Sequence, residues 1–137
     1  MSIGLLIADR HDLIRDGLRT MFAHSDITVV AEARKPWEVQ PLVRDHVINV
    51  LLLSVSWGRF RGEDGIQLLR EIRVEHPELP ILMYSVYDSI SLIERCRWLR
   101  ANGYLVKGVD DQLLPRAIRA VYDGDSAWAD QRQEWRI

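Results

Sequence analysis

Four polar side chains stand where short apolar runs stop. Asp9 follows residues 3–8, Ser54 follows 50–53, Ser85 follows 81–84 and Lys107 follows 103–106. In a parallel α/β sheet, chemistry gathers just beyond the carboxyl ends of the strands, so these four are expected to converge on one crevice. Arg10, Lys107, Ser54 and Ser85 together offer cationic and hydroxyl donors suited to an anion. Covalent chemistry is not expected from them. A serine hydroxyl is a weak nucleophile without a base, and no histidine falls at the end of a predicted strand near Ser54. Taken singly, Asp9, Ser85 and Lys107 are ordinary loop residues; their joint placement at successive strand ends is what carries information.

The elements that must position them alternate five times between an apolar run and a helical period, which predicts βα repeats around a parallel sheet. Strands are expected at 3–8, 27–33, 50–55, 80–85 and 103–106. Asp12 is a candidate cap for the first helix, with Ile14, Leu18, Met21 and Phe22 on its inner face. Pro36 suits the opening of a second helix carrying Val39, Leu42, Val43 and His46 at the same spacing. His46, alone near a helix end, is read as a partly exposed residue and not a metal ligand. A third helix over 65–76 ends at His76-Pro77, and a fourth over 90–101 turns Leu92, Cys96 and Leu99 inward. Asn102-Gly103 supplies its stop. The fifth helix runs to about residue 123, with Leu114, Ala117, Ile118 and Val121 inward and Pro115 in its first turns.

The order and spacing of Asp9, Ser85 and Lys107, with Tyr104 inside the fifth strand, resemble the receiver domain of two-component response regulators over residues 3–124. Asp9-Arg10-His11 is similar to the Asp-Asp-His of the NarL/LuxR-type group. The resemblance implies a flavodoxin-like (βα)5 doubly wound parallel sheet, strand order 2-1-3-4-5, with 125–137 as a linker or extension. It also implies a site in which two acidic residues after the first strand and an acceptor aspartate after the third hold Mg²⁺. A hydroxyl at Ser85 and an ammonium at Lys107 would bind phosphoryl oxygens, and Tyr104 would be the switch aromatic. This chain departs twice: Arg10 replaces the second acidic residue, and Ser54 stands at the phosphoacceptor position.

The family's surplus of two negative charges thereby becomes one carboxylate, Asp9, against Arg10 and Lys107. Unit charges about 4 Å apart interact by roughly 4 kcal/mol at an effective dielectric near 20, so these changes should abolish useful Mg²⁺ binding. The expectation is a degenerate pseudo-receiver with no cofactor, in which Arg10 or Lys107, or both, pair with Asp9. Asp64-Gly65 falls where receivers carry a turn, so Asp64 is not read as a displaced acceptor.

Ser56-Trp57-Gly58-Arg59-Phe60-Arg61-Gly62-Glu63 lacks the family's proline and is longer than usual. Two readings stand: a small aromatic and arginine contact surface, or rings folded over the emptied pocket with the arginines in water. The second is preferred, since the stretch is too short to establish a nucleic-acid patch.

With 137 residues and 47% apolar composition the chain suits one globular domain. A net charge of −2 gives no overall footprint for nucleic acid, so DNA contact by this domain itself is not expected. Cys96 is the single cysteine, which excludes an intramolecular disulfide. The amino terminus shows no secretory signal and no apolar run spans a membrane, so a cytoplasmic domain is expected. Function should lie in phosphorylation-independent protein contact, as the regulatory half of a transcription regulator. A protein partner or homodimer would use the helix 4/strand 5/helix 5 face or helices 1 and 5. Anion or small-molecule sensing in the altered pocket is the alternative, and an enzyme on this architecture is a distant third.

Overall fold

A computed structural model describes residues 2–58 and 64–129. Runs that are apolar throughout become the central strands: β1 (Ile3–Ala8), β3 (Val50–Leu53), β4 (Ile81–Ser85) and β5 (Gly103–Val106) are buried at every residue. Burial on both faces is what a parallel sheet between two helical layers demands. β2 (Ile27–Ala33) lies outside β1 and alternates between buried and partly exposed residues, as a strand near the rim does. All pairings are parallel, and the order is β2-β1-β3-β4-β5-β6.

Side chains alternate along each strand, so the sheet serves two cores. On one face Leu6, Leu51, Leu53, Met83 and Tyr104 pack with Val39, Leu69, Ile72 and Cys96. These come from α2 (Val39–Asp45), α3 (Asp64–Glu75) and α4 (Ile90–Trp98). On the other face Leu5, Ile7, Leu52, Tyr84 and Leu105 meet Leu18, Phe22, Ile118 and Val121. Those belong to α1 (Asp12–Phe22) and α5 (Leu114–Tyr122).

Several local expectations are corrected. Asp12 is the first residue of α1 and not its cap; His11 occupies the cap position without a side-chain bond, and Asp12 pairs instead with Arg15. Met21 is 43% exposed, because the buried stripe of α1 passes through Leu18 and Phe22. Pro36 opens a 3₁₀ turn over Pro36–Glu38, and α2 starts only at Val39. In α4 the fully buried residues are Ile93 and Cys96, with Leu92 and Leu99 packed at the margin. Ser89, not singled out in the sequence, caps α4 by accepting the Leu92 N–H.

The stop after α4 is also not made at Asn102-Gly103. Arg100 takes the left-handed conformation, φ 68°, and buried Arg73 holds its carbonyl at 2.8 Å. Asn102 Oδ1 accepts the Ile81 N–H at 2.9 Å, which fixes the start of β4.

The sheet extends past the expected five strands. β6 (Ala127–Trp128) adds to the β5 edge, with Ala127 opposite Gly103 and Trp128 opposite Tyr104. Gly103 makes this possible, because a Cβ there would stand 2.4 Å from the Ala127 carbonyl oxygen. Residues 127–129 are buried, and Ala127 and Trp128 form the sheet edge. Among the described residues no helix is long and apolar enough to cross a membrane.

Candidate functional site

The crevice forms at the carboxyl ends of β1, β3, β4 and β5. The backbone continues the sheet pairing one step beyond the strands: Ser54 N donates to Ala8 O at 2.9 Å, and Lys107 N donates to Ser85 O at 2.7 Å. Asp9, Ser54 and Ser85 are buried at 2%, 4% and 2% exposure, each at the end of its strand, whereas Lys107 is of intermediate burial.

Lys107 is aimed by the loop that follows β5. Asp110 Oδ2 accepts the Val106 N–H at 2.8 Å, and Asp111 Oδ1 accepts the Gly108 N–H at 3.0 Å. Tyr84 donates its hydroxyl to the same Asp111 oxygen at 2.5 Å, and its ring lies 5.4 Å from Lys107 Nζ. Burial, reinforced by Asp111, raises the Tyr84 hydroxyl well above its ordinary range, which keeps it a donor. Thus held, Lys107 Nζ reaches Asp9 Oδ2 at 2.6 Å.

The other Asp9 oxygen is engaged as well. Oδ1 accepts the His11 N–H at 2.9 Å, and His11 Nδ1 lies 3.0 Å from it. Below, Arg15 is 5% exposed and donates through Nη1 to the Asp9 carbonyl at 2.8 Å, while its Nε reaches Glu32 at 3.0 Å. Its other arm pairs with Asp12 and lowers that carboxyl below its usual value.

Of the two cations expected to compete for Asp9, Lys107 alone forms the pair. Arg10 is exposed and lines a neighbouring groove with Arg34 and Lys35, without an ion pair to Asp9. Within the crevice the Lys107 ammonium and the Asp9 carboxylate offset one another.

Ser54 is walled in. Its Oγ donates to Ser56 O at 3.3 Å, and its carbonyl accepts the indole N–H of Trp57 at 2.9 Å. Trp57 is 7% exposed and belongs to the core, so for this ring the inward reading holds. Arg59, Phe60 and Arg61 lie outside the described residues. From the far side α3 presses on the same carbonyl: a Cβ on Gly65 would stand 2.1 Å from Ser54 O.

Ser85 and Tyr104 are linked through a residue the sequence reading passed over. Ser85 Oγ accepts the Tyr87 N–H at 3.1 Å, and the Tyr104 hydroxyl donates to Tyr87 O at 2.7 Å. Tyr104 has no exposed surface; burial pushes its hydroxyl up to about 12, against a smaller lowering by Ser85. His11 and Arg15 were also missed. Their signal was position alone, two and six residues after Asp9, and both act on Asp9 at short range.

The residues present do not fit a Mg²⁺ ion. That ion is usually held through one or two carboxylates and water, and the crevice offers only Asp9, with both oxygens already bonded. Among the described residues no cluster of histidine, cysteine and acidic side chains could hold a metal.

Comparison with known proteins gives a consistent result. The response regulator receiver domain model matches residues 5–119. The oxygen regulatory protein NreC of Staphylococcus haemolyticus (strain JCSC1435) is 31% identical over 123 residues, covering 89% of this chain and 56% of NreC. The chain thus spans little more than half of that relative. A two-component response regulator of the LuxR family from Aurantimonas sp. SI85-9A1 superposes with a TM-score of 0.87 at 24% identity, over 98% of this chain and 94% of that one. The isolated REC domain of RcsB from Salmonella enterica serovar Typhimurium with phosphomimetic BeF3− gives 0.84 at 21% identity, over 98% of each chain. RcsB dimers bound to DNA give 0.84 at 21%, over 98% of this chain and 67% of that one. At these identities the solved structures establish the shared fold.

Proposed function

This chain belongs to the response regulator receiver domain family, and from that premise we propose that it is a pseudo-receiver of the NarL/LuxR-type group that signals by protein contact without phosphotransfer. The observation that carries this reading is the state of residue 54. A receiver needs a carboxylate there to form an acyl phosphate. This chain has an alcohol, 4% exposed and bonded to Ser56 O, beside a lysine already committed to Asp9. In the family, phosphate draws the position-85 hydroxyl and the aromatic inward, biasing a two-state surface. Tyr104 is fully buried without it, and Tyr87 links it to Ser85. The reading is that the sequence itself holds the inward state.

Output falls to the surface. Val86, Ile90, Trp98 and Val109 remain 64–87% exposed around α4 and the β5–α5 connection. Exposed apolar side chains in this part of the molecule suit contact with a partner or a second copy. The RcsB dimers on DNA supply the analogy for the whole molecule: this domain is the regulatory half, and another domain reads DNA in the cytoplasm.

The test is incubation with acetyl phosphate and Mg²⁺ followed by intact-mass measurement and sedimentation. No added phosphate and an unchanged mass distribution are expected. A stoichiometric, hydroxylamine-labile phosphate that survives Ser54→Ala would place the acceptor elsewhere and overturn the proposal.

A further inference from the structure

A basic groove lies beside the crevice, and Arg10 lines it. β1 and β2 end side by side, with Ala8 opposite Ala33 and Asp9 N bonded to Ala33 O at 3.1 Å. The residues just past those ends, Arg10 on one strand and Arg34-Lys35 on the other, consequently line one groove of about 590 Å³. That size suits a small-molecule ligand. Among the described residues none of these three side chains forms an ion pair, and all three are exposed.

Opposing charge in the groove is weak. Two carboxylates, Asp12 and Asp64, line it, and Asp12 is already paired with Arg15. The third carboxylate nearby, Glu38, accepts the backbone N–H groups of Arg34 and Lys35 at 2.7 and 2.9 Å. Those two bonds fix the turn that carries the cations and holds Trp37 next to them. Trp37 is 73% exposed, whereas Trp57 on the same groove is 7% exposed. Trp37 thus presents an exposed ring on the groove that Arg10 and Arg34 also line. Arginine guanidinium matches phosphate oxygens in a bidentate fork, and an aromatic face stacks on any planar base.

We propose that this groove binds a phosphate monoester carrying a planar ring, of nucleoside monophosphate size. The phosphate lies between Arg10 and Arg34, and the ring lies against Trp37. Arg10, which the crevice does not use, thereby gains a role outside it. The site uses neither Ser54 nor Lys107, so this proposal and the phosphotransfer reading stand or fall separately.

Isothermal titration calorimetry with adenosine monophosphate, adenosine and inorganic phosphate tests it. The monophosphate is expected to bind saturably, with adenosine and phosphate each about tenfold or more weaker, and its affinity should fall as salt rises. Arg34→Gln should weaken the monophosphate and leave adenosine unchanged, whereas Trp37→Ala should weaken both. Both residues are exposed, so circular dichroism will report folded variants. Absence of saturation up to about 10 mM, a range far beyond a built small-molecule site, overturns the proposal. So does monophosphate binding that neither variant alters.

Discussion

Lys107 and Asp9 are 98 residues apart in sequence and 2.6 Å apart in space. Their strands are not neighbours: β3 and β4 lie between β1 and β5, so the lysine spans the crevice and ties its two sides. Its side chain is 9% exposed and that of Asp9 is 3% exposed. Removing one member of a buried pair strands the other charge, at a cost of about 3–5 kcal/mol. Lys107→Met or Asp9→Asn should each lower the unfolding free energy measured by urea titration by an amount of that order, and the double variant should recover most of it. Additive losses would mean that the two residues act separately.

The charge balance can be reversed. Arg10→Asp with Ser54→Asp restores acidic residues at the two positions where the family carries them beside Asp9, the composition that suits Mg²⁺. Trp57, bonded to the carbonyl of residue 54, is a reporter in place. Metal-dependent quenching is expected at roughly millimolar Mg²⁺, because the ion must compete with Lys107 for Asp9. A folded double variant without quenching would show that the packing of Trp57 over the site, and not charge, is what closes it.

Gly65 and Gly17 make an internal comparison. Both are helical, but a Cβ on Gly65 meets Ser54 O at 2.1 Å, whereas one on Gly17 meets nothing within 4 Å. Gly17→Ala should stabilise by about 0.5–1 kcal/mol through reduced freedom of the unfolded chain. Gly65→Ala should destabilise, by about 1–3 kcal/mol, since backbone and not a pliable side chain must move. Thermal melting of both variants measures the opposite signs directly.

Tyr104 gives a pH dependence. Its hydroxyl ionises near 10.0 when free and at about 12 in the fold. Above pH 10 the unfolded chain loses this proton while the native chain keeps it, so stability is complete below that pH and falls as pH rises toward the folded value. The slope is about 1.4 kcal/mol per pH unit. Tyr104→Phe should flatten the decline, leaving the share due to Tyr84, which is raised in the same direction. Urea titrations at pH 9 and pH 11 would show the difference, and an unchanged slope would assign the decline elsewhere.

The framework of this fold was legible where a residue's neighbours in sequence determine its environment. β1 and β2 occupy the spans their apolar runs predict, and Asp9, Ser85 and Lys107 lie at strand ends as their spacing requires. What was not legible depends on contacts made across the sheet. Whether Arg10 or Lys107 reaches Asp9 turns on the loop after β5, which aims Lys107 from the far side of the sheet. Tyr87 joins Ser85 to Tyr104 through its backbone groups, which carry no sequence signature. The two residues of β6 are too few to show a period; they become a strand because Gly103 lets them approach.

That short strand also joins the buried tyrosine of the site to the fourth helix. Trp128 stands opposite Tyr104 on β5 and stacks under the Arg97 guanidinium of α4 at 4.3 Å. The buried tyrosine, the fourth helix and β6 are thus fastened at a single rung. A rotation of the Tyr104 ring would therefore be felt by Trp128 and α4 before it reached any more distant surface.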